Sequence, residues 1–280
     1  MPLGIHRHII TVGGNWDPTA SITTRYHIDA SDTSTYTISA NVLQSVTDKS
    51  GNFSITIGGN PTRFTNALNG LNVWDFNGNY DLTTTGEGAV TDGSGNHWAI
   101  GVFLADTISD TQDSFYSFTN NTVAGTSKRG YAVSAGNASA FNGELDLDAL
   151  SSNRISSTIG NAQDFNSPGA VPQNTWVIIN AIFNKTGNQI IVRVDGTSLF
   201  AINGYDNSLQ TNMDLRIFRN RSNERMQGRM AEFFTVADVP GTGGTDITDF
   251  EKAEGYLAHK WALTGILPGG HPYKSSAPTG

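Results

Sequence analysis

In the stretch GELDLDAL, residues 143–150, Glu144, Asp146 and Asp148 alternate with Leu145 and Leu147. Successive side chains of a β-strand point to opposite faces, so the three carboxylates would share one face and the leucines the other. Two such carboxylates could serve as nucleophile and general acid/base in a retaining glycosidase, where the carboxyls stand ~5–5.5 Å apart. Strand positions i and i+4 are separated by ~13 Å of backbone, so both side chains would have to lean together. Asp148 is a carbon shorter than the Glu such a pair calls for, and no tryptophan flanks the stretch to stack a sugar. A half-buried structural strand shows the same alternation. The expectation is therefore a non-enzymatic protein, with Glu144, Asp146 and Asp148 as the residues to examine if it is an enzyme.

Other clusters suggest binding rather than catalysis. Arg216, Arg219, Arg221, Arg225 and Arg229 crowd into the segment RIFRNRSNERMQGR. Guanidinium forks suit carboxylates and phosphates, so the first four are candidates for an acidic partner subunit or an anionic surface polysaccharide. The plain alternative is a solvated hairpin whose charges balance nearby Asp and Glu. Trp16 sits in the turn-like GGNWDPTAS and is expected to be exposed or buried against a partner, which makes it a further glycan or partner candidate. Trp74, Trp98 and Trp176 lie inside apolar runs and are expected in the core. Asp106, Asp110 and Asp113 could offer oxygen ligands to Ca²⁺, but their spacing is not that of an EF-hand loop. Asp-rich turns also form for backbone reasons alone, so no cofactor is expected beyond this weak calcium candidate. There is no zinc-protease helix motif, nucleophile elbow or phosphate-cradling loop.

These residues must be positioned by a chain of 280 residues with 31 Gly, no Cys and only 15% charged residues. The charged share is well below the roughly 25% of ordinary soluble proteins, and neutral Ser, Thr and Asn replace it. A net charge of −8 argues against a nucleic-acid partner. No apolar run reaches 18 residues, so membrane insertion is not expected. The N-terminus lacks a basic stretch followed by a long apolar one, so Sec-type export is not expected either. Short strand-like runs punctuated by turn residues occur at 22–29, 35–39, 53–59, 71–78, 97–105, 114–119, 130–136, 143–149, 175–184, 189–196, 198–204, 215–220 and 229–237. This spacing points to an all-β sandwich or jelly roll. One helix is expected near 248–263, opened by a capping box of Thr248 and Glu251. Phe250, Ala253, Leu257 and Trp261 would form its buried stripe, and Gly265 would stop it.

Five segments in order carry a resemblance to a known family: HIDASDTSTYTIS…VTDKSGN (27–52), LNGLNVWDFNGNYDL (68–82), TWVIINAIFNKTGNQIIVRVDGTSL (175–199), GRMAEFFTVADVPG (228–241) and EGYLAHKWALTGILPGGHPYK (254–274). Together they resemble the concanavalin A-like (laminin-G-like) jelly rolls of phage structural proteins and bacterial surface proteins. The resemblance covers about residues 22–275. It implies two stacked antiparallel sheets, glycan binding in many relatives and, for His259 and His271, a packing role. The domain expectation is an N-terminal docking arm over 1–21 and a single sandwich over 22–280. Within the arm, Ile5, His6, Arg7, His8 and Ile9 are the candidate docking residues.

The functional expectation is a non-enzymatic phage virion component, a capsid decoration, head fibre or tail part, assembled in the host cytoplasm and exposed on the particle surface. Its expected partners are other virion proteins, further copies of itself and host-surface glycans. The alternatives are a stand-alone carbohydrate-binding module and a laminarinase-like β-glucanase using Glu144 and Asp148.

Overall fold

The computed structural model describes residues 16–84, 96–107, 113–119, 130–136, 144–149, 165–167, 171–184, 189–203, 214–219, 225–237 and 247–280. A short helix, α1 (Pro18–Ser21), comes first, followed by β1 (Thr24–Asp29), β2 (Tyr36–Ser39), β3 (Val42–Val46), β4 (Ile55–Gly58), β5 (Thr62–Leu68), β6 (Leu71–Asn77), β7 (Asp81–Thr84) and β8 (His97–Thr107). Then come β9 (Asp113–Thr119), β10 (Gly130–Gly136), β11 (Glu144–Ala149), β12 (Phe165–Ser167), β13 (Trp176–Asn184), β14 (Gln189–Val194), β15 (Thr197–Asn203), β16 (Asp214–Ile217) and β17 (Gln227–Val236). Helix α2 (Ile247–Lys260) and a 3₁₀ turn (Thr264–Ile266) close the chain.

The strands form two antiparallel sheets, an all-β sandwich as the strand spacing predicts. Ten strands make one sheet in the order β15-β14-β13-β8-β17-β6-β5-β3-β2, with β1 also pairing β17. Seven make the other, in the order β12-β11-β10-β9-β16-β7-β4. Strand β8 shows why the larger sheet reads as an unbroken apolar run. Ala99, Phe103 and Ala105 enter the core between the sheets, while Trp98, Ile100 and Val102 enter a second core beneath α2. A strand covered on both faces has no polar phase. The molecule thus has three layers: the seven-stranded sheet, the ten-stranded sheet, and α2 with the terminal segment.

Phe250, Ala253 and Leu257 do line the buried face of α2, and Trp261, one residue past its end, continues the stripe. Its ends differ from expectation. The helix already includes Ile247, so Thr248 lies inside it rather than at its cap. Gly265 is not the stop: Ala262 takes a left-handed φ of 56°, and Leu263 N–H donates to Ala258 O at 2.7 Å. That 6→1 bond is a Schellman closure, made here without glycine.

Trp16 corrects the expected exposure of that residue. It is 2% exposed, its N–H donates to Pro278 O at 3.1 Å, and its ring stands edge-on to Tyr256 at 5.8 Å. Asp17 caps α1 through bonds from the Thr19 and Ala20 N–H groups. Trp16 and Pro18 therefore pack on the sandwich, the indole joining the core beneath α2. The docking candidates Ile5, His6, Arg7, His8 and Ile9 lie outside the described residues.

Gly255 sits mid-helix where the terminal segment crosses: a Cβ there would overlap Tyr273 Cβ. Gly→Ala in a helix ordinarily stabilises by about 1 kcal/mol, whereas overpacking costs about 1–3. Gly255→Ala is expected to destabilise by up to about 2 kcal/mol net in denaturant unfolding; a rise in stability would show that the segment does not press on α2.

Candidate functional site

Strand β17 has a bulge that decides what faces α2. It pairs Met230 with Phe103 but Glu232 with Val102, so Ala231 is an extra residue. Met230 and Phe233 enter the inter-sheet core, while Ala231 and Phe234 enter the core under α2. The inserted residue shifts the alternation and brings Glu232, fully buried, to the helix side. There its carboxylate accepts four hydrogen bonds. Oε1 accepts from His27 Nε2 (2.8 Å) and the Tyr256 hydroxyl (3.1 Å), and Oε2 from Lys260 Nζ (2.6 Å) and Trp261 Nε1 (3.0 Å). Three of those donors come from α2 and the residue after it. Burial alone would push this carboxyl up, but Lys260 and His27 override it and hold it at about 2.

His27, Asp29 and Glu232 place their ligand atoms within 4.8 Å of one another, the spacing of a metal site. Lys260 supplies the cation instead, with Nζ 2.7 Å from Asp29 Oδ2 as well as 2.6 Å from Glu232. Lys49 Nζ also pairs with Asp29 Oδ2, at 3.2 Å. The family-like segments 27–52 and 254–274 meet here. Asp29 and Asp32 accept from the following serines, and Asp48 accepts the N–H groups of His27, Ser50, Asn52 and Phe53.

A second buried carboxylate mirrors the first from the helix. Glu254 accepts Arg193 Nε (2.7 Å) and Nη2 (2.9 Å), Asn180 Nδ2 (3.3 Å) and His271 Nε2 (3.2 Å). Arg193 lies on β14 and Asn180 on β13, so this tie fastens α2 to the far strands of the sheet. His259 bonds the Tyr273 carbonyl at 2.9 Å. The β14–β15 turn beside it has φ of 52° at Asp195 and 79° at Gly196, the left-handed pair of a type I′ hairpin. Burial pushes the Asp195 carboxyl up to about 7, against the bond it accepts from Ile178 N–H and helped by the nearby Glu254 charge.

On the seven-stranded sheet, two of the arginine candidates share one carboxylate. Asp81, 3% exposed at the side chain, pairs with Arg225 Nε at 2.9 Å and Arg219 Nη1 at 3.4 Å. Arg216 is buried and pairs with Asp214 at 3.4 Å. Burial lowers the Arg216 pKa, and Arg219 lowers it further. These three arginines are partly to wholly buried, and nearby carboxylates balance their charges, as the plain alternative has it. Arg221 lies outside the described residues.

Strand β11 puts Glu144–Ala149 second from the sheet edge. Leu147 is paired with Val133, a core residue, so residues 144, 146 and 148 hold the alternate register positions. Asp148 pairs with Ala132, and that register row continues through Ser117, Arg216 and Thr83.

Among the calcium candidates, Asp106 is ion-paired with Arg229 at 3.6 Å, Asp113 opens β9, and Asp110 lies outside the described residues. Arg229 also pairs with Asp75 at 3.1 Å and lies over the Phe64 ring at 4.7 Å. Phe64 was not singled out by the sequence, because TRFTNAL has no apolar alternation to mark a strand.

No protein-family model matches the sequence, and no curated protein sequence does either. Solved structures do resemble the fold. One is domain 4 of an extracellular GH43 arabinanase from Geobacillus stearothermophilus, solved with arabinotriose. It is 11% identical with a TM-score of 0.54, and the match covers 77% of this chain and 93% of that one. The binding domain of botulinum neurotoxin DC in complex with SialylT is 11% identical, covering 78% and 48%, with a TM-score of 0.49. The CBM40 domain of Ruminococcus gnavus IT-sialidase bound to α2,3-sialyllactose is 12% identical, covering 52% and 78%, with a TM-score of 0.41. At such identity the likeness is one of fold.

The folded Glu232 carboxyl, at about 2, lies below its ordinary 4.5, so its contribution is present above pH 4.5 and lost as pH falls toward 2. The difference corresponds to roughly 3 kcal/mol. Glu232→Gln is expected to cost about 3–5 kcal/mol at pH 7, with a flatter acid limb in pH-dependent unfolding; an unchanged limb would contradict the assignment. Asp195 runs the other way. With a folded value of about 7 above its ordinary 3.8, its stability is present below 3.8 and lost as pH rises through 7. Asp195→Asn keeps the acceptor for Ile178 and suits the turn, so its Tm gain should be larger at pH 8 than at pH 4. An equal gain at both would contradict the raised value.

Proposed function

We propose that the chain is a non-catalytic, glycan-binding β-sandwich displayed on a phage particle, as a capsid decoration, head fibre or tail component. The observation that carries the glycan reading is the fold match over 93% of a domain solved with arabinotriose. The concanavalin A-like segments of the sequence support it independently. The virion setting rests on that resemblance to phage structural proteins, and many copies on a particle would make weak sites sufficient through avidity.

The non-catalytic part is supported by the place of β11. A retaining pair needs two carboxyls ~5–5.5 Å apart across a cleft. Glu144 and Asp148 lie four positions apart on β11, beside the sheet edge, and the register partner of Asp148 is Ala132 rather than a second acid. A stand-alone carbohydrate-binding module is the second reading, favoured by the likeness to an accessory domain of an arabinanase.

Two assays on the full-length protein separate these readings. On a glycan array, binding is expected, together with no reducing sugar released from laminarin or mixed-linkage glucan. Release abolished by Glu144→Gln would overturn the non-catalytic reading. In maps of purified particles the sandwich is expected at symmetry-related surface positions, and its absence would favour the free module.

A further inference from the structure

The outer face of the ten-stranded sheet is only partly covered by α2. The helix lies over the end formed by Trp98–Val102 and Ala231–Val236. At the other end of the same face a row crosses four neighbouring strands: Phe64 on β5, Asp75 on β6, Arg229 on β17 and Asp106 on β8. The register fixes the row, with Thr62 opposite Asp75, Phe64 opposite Val73, and Arg229 opposite both Asp75 and Leu104.

Phe64 is 42% exposed, the one large apolar side chain among the described residues left in solvent. A single exposed phenylalanine means little by itself. What gives this one meaning is its setting. The Arg229 guanidinium lies over the ring at 4.7 Å and is itself held by Asp75 Oδ1 at 3.1 Å and Asp106 Oδ1 at 3.6 Å. The ring is therefore oriented from one side while much of it stays open. Asp75 Oδ2 and Asp106 Oδ2 accept no hydrogen bond among the described residues, and both side chains are partly exposed, at 20% and 15%. The row thus offers an apolar platform, two open acceptors and guanidinium N–H donors within one patch.

Resting on the glycan-binding reading above, we propose that the row Phe64–Asp75–Arg229–Asp106 is a subsite for a neutral hexopyranose unit. The pyranose C–H face covers the open part of the Phe64 ring, and its hydroxyls donate to the free carboxylate oxygens and accept from Arg229. Aromatic rings present the large, rigid, apolar area that such stacking needs. Charge selects among sugars: two carboxylates and one guanidinium leave the row net negative, which opposes sialic or uronic acids. The site lies on the sheet that carries the helix, on the opposite side of the sandwich from the Asp148–Arg216 register row.

The test titrates the full-length protein with methyl glucoside, galactoside, mannoside and N-acetylglucosaminide, with oligomers of each, and with sialyllactose and methyl glucuronide. The expected result is binding to a neutral member, at least tenfold weaker in Phe64→Ala and Asp106→Asn, and retained in Phe64→Trp. The Tm of each variant should stay within a few degrees of the parent, since Phe64 is exposed. Binding of a neutral sugar that Phe64→Ala leaves within twofold would overturn this subsite while keeping the glycan reading. Binding confined to acidic sugars would overturn it too. No binding to any sugar, here or on the array, would overturn both. A concentration-dependent dimer abolished by Phe64→Ala, without sugar binding, would reassign the row to self-association.

Discussion

One buried carboxylate organises the third layer of this molecule. Glu232 accepts four hydrogen bonds, from a histidine of β1 and from a tyrosine, a lysine and a tryptophan of the terminal helix region. A carboxylate with all its acceptor sites filled tolerates burial that would otherwise force it to take up a proton. Because the lysine also bonds Asp29, the tie joins β1, β17 and α2 at a single point. Glu254 repeats the arrangement in reverse, sending a helix carboxylate to donors on β13 and β14. Between the two ties the apolar stripe of α2 is pressed onto the sheet, so direction comes from the charges and most of the burial energy from the aromatics and aliphatics.

The bulge at Ala231 links that tie to the surface. Arg229 and Glu232 lie three residues apart on β17, and uninterrupted alternation would send them to opposite faces. The extra residue lets both occupy the outer face, one in the open row with Phe64 and the other under the helix. A rigid helix-capped sheet then holds Asp75, Arg229 and Asp106 from three neighbouring strands, a firmer mounting than rim loops give.

Much of this was legible in the sequence. The helix stripe Phe250-Ala253-Leu257-Trp261 has the right spacing, and strands such as β8 and β13 stand out as apolar runs. The strands missed at β3, β5, β7 and β12 are short or largely polar, and β5 is mostly exposed. Trp16 looked like a surface residue because its neighbours are turn formers, yet residues more than two hundred positions away bury it. Pairings such as Glu232–Lys260 and Asp106–Arg229 are set by register, and a bulge shifts register without leaving a sign in RMAEFFTVA. The arginine cluster was visible, but its partner Asp81 was not, since it lies well over a hundred residues upstream.

On the proposed reading, a polar row on the helix-capped sheet, rather than an acid pair on β11, gives this sandwich its chemistry. Amide shift mapping of the full-length protein with a saturating neutral oligosaccharide tests it most directly. Perturbations are expected to cluster at residues 62–64, 75, 106 and 229, with β11 unmoved. Perturbations centred on 144–148 and 216–219 would contradict it.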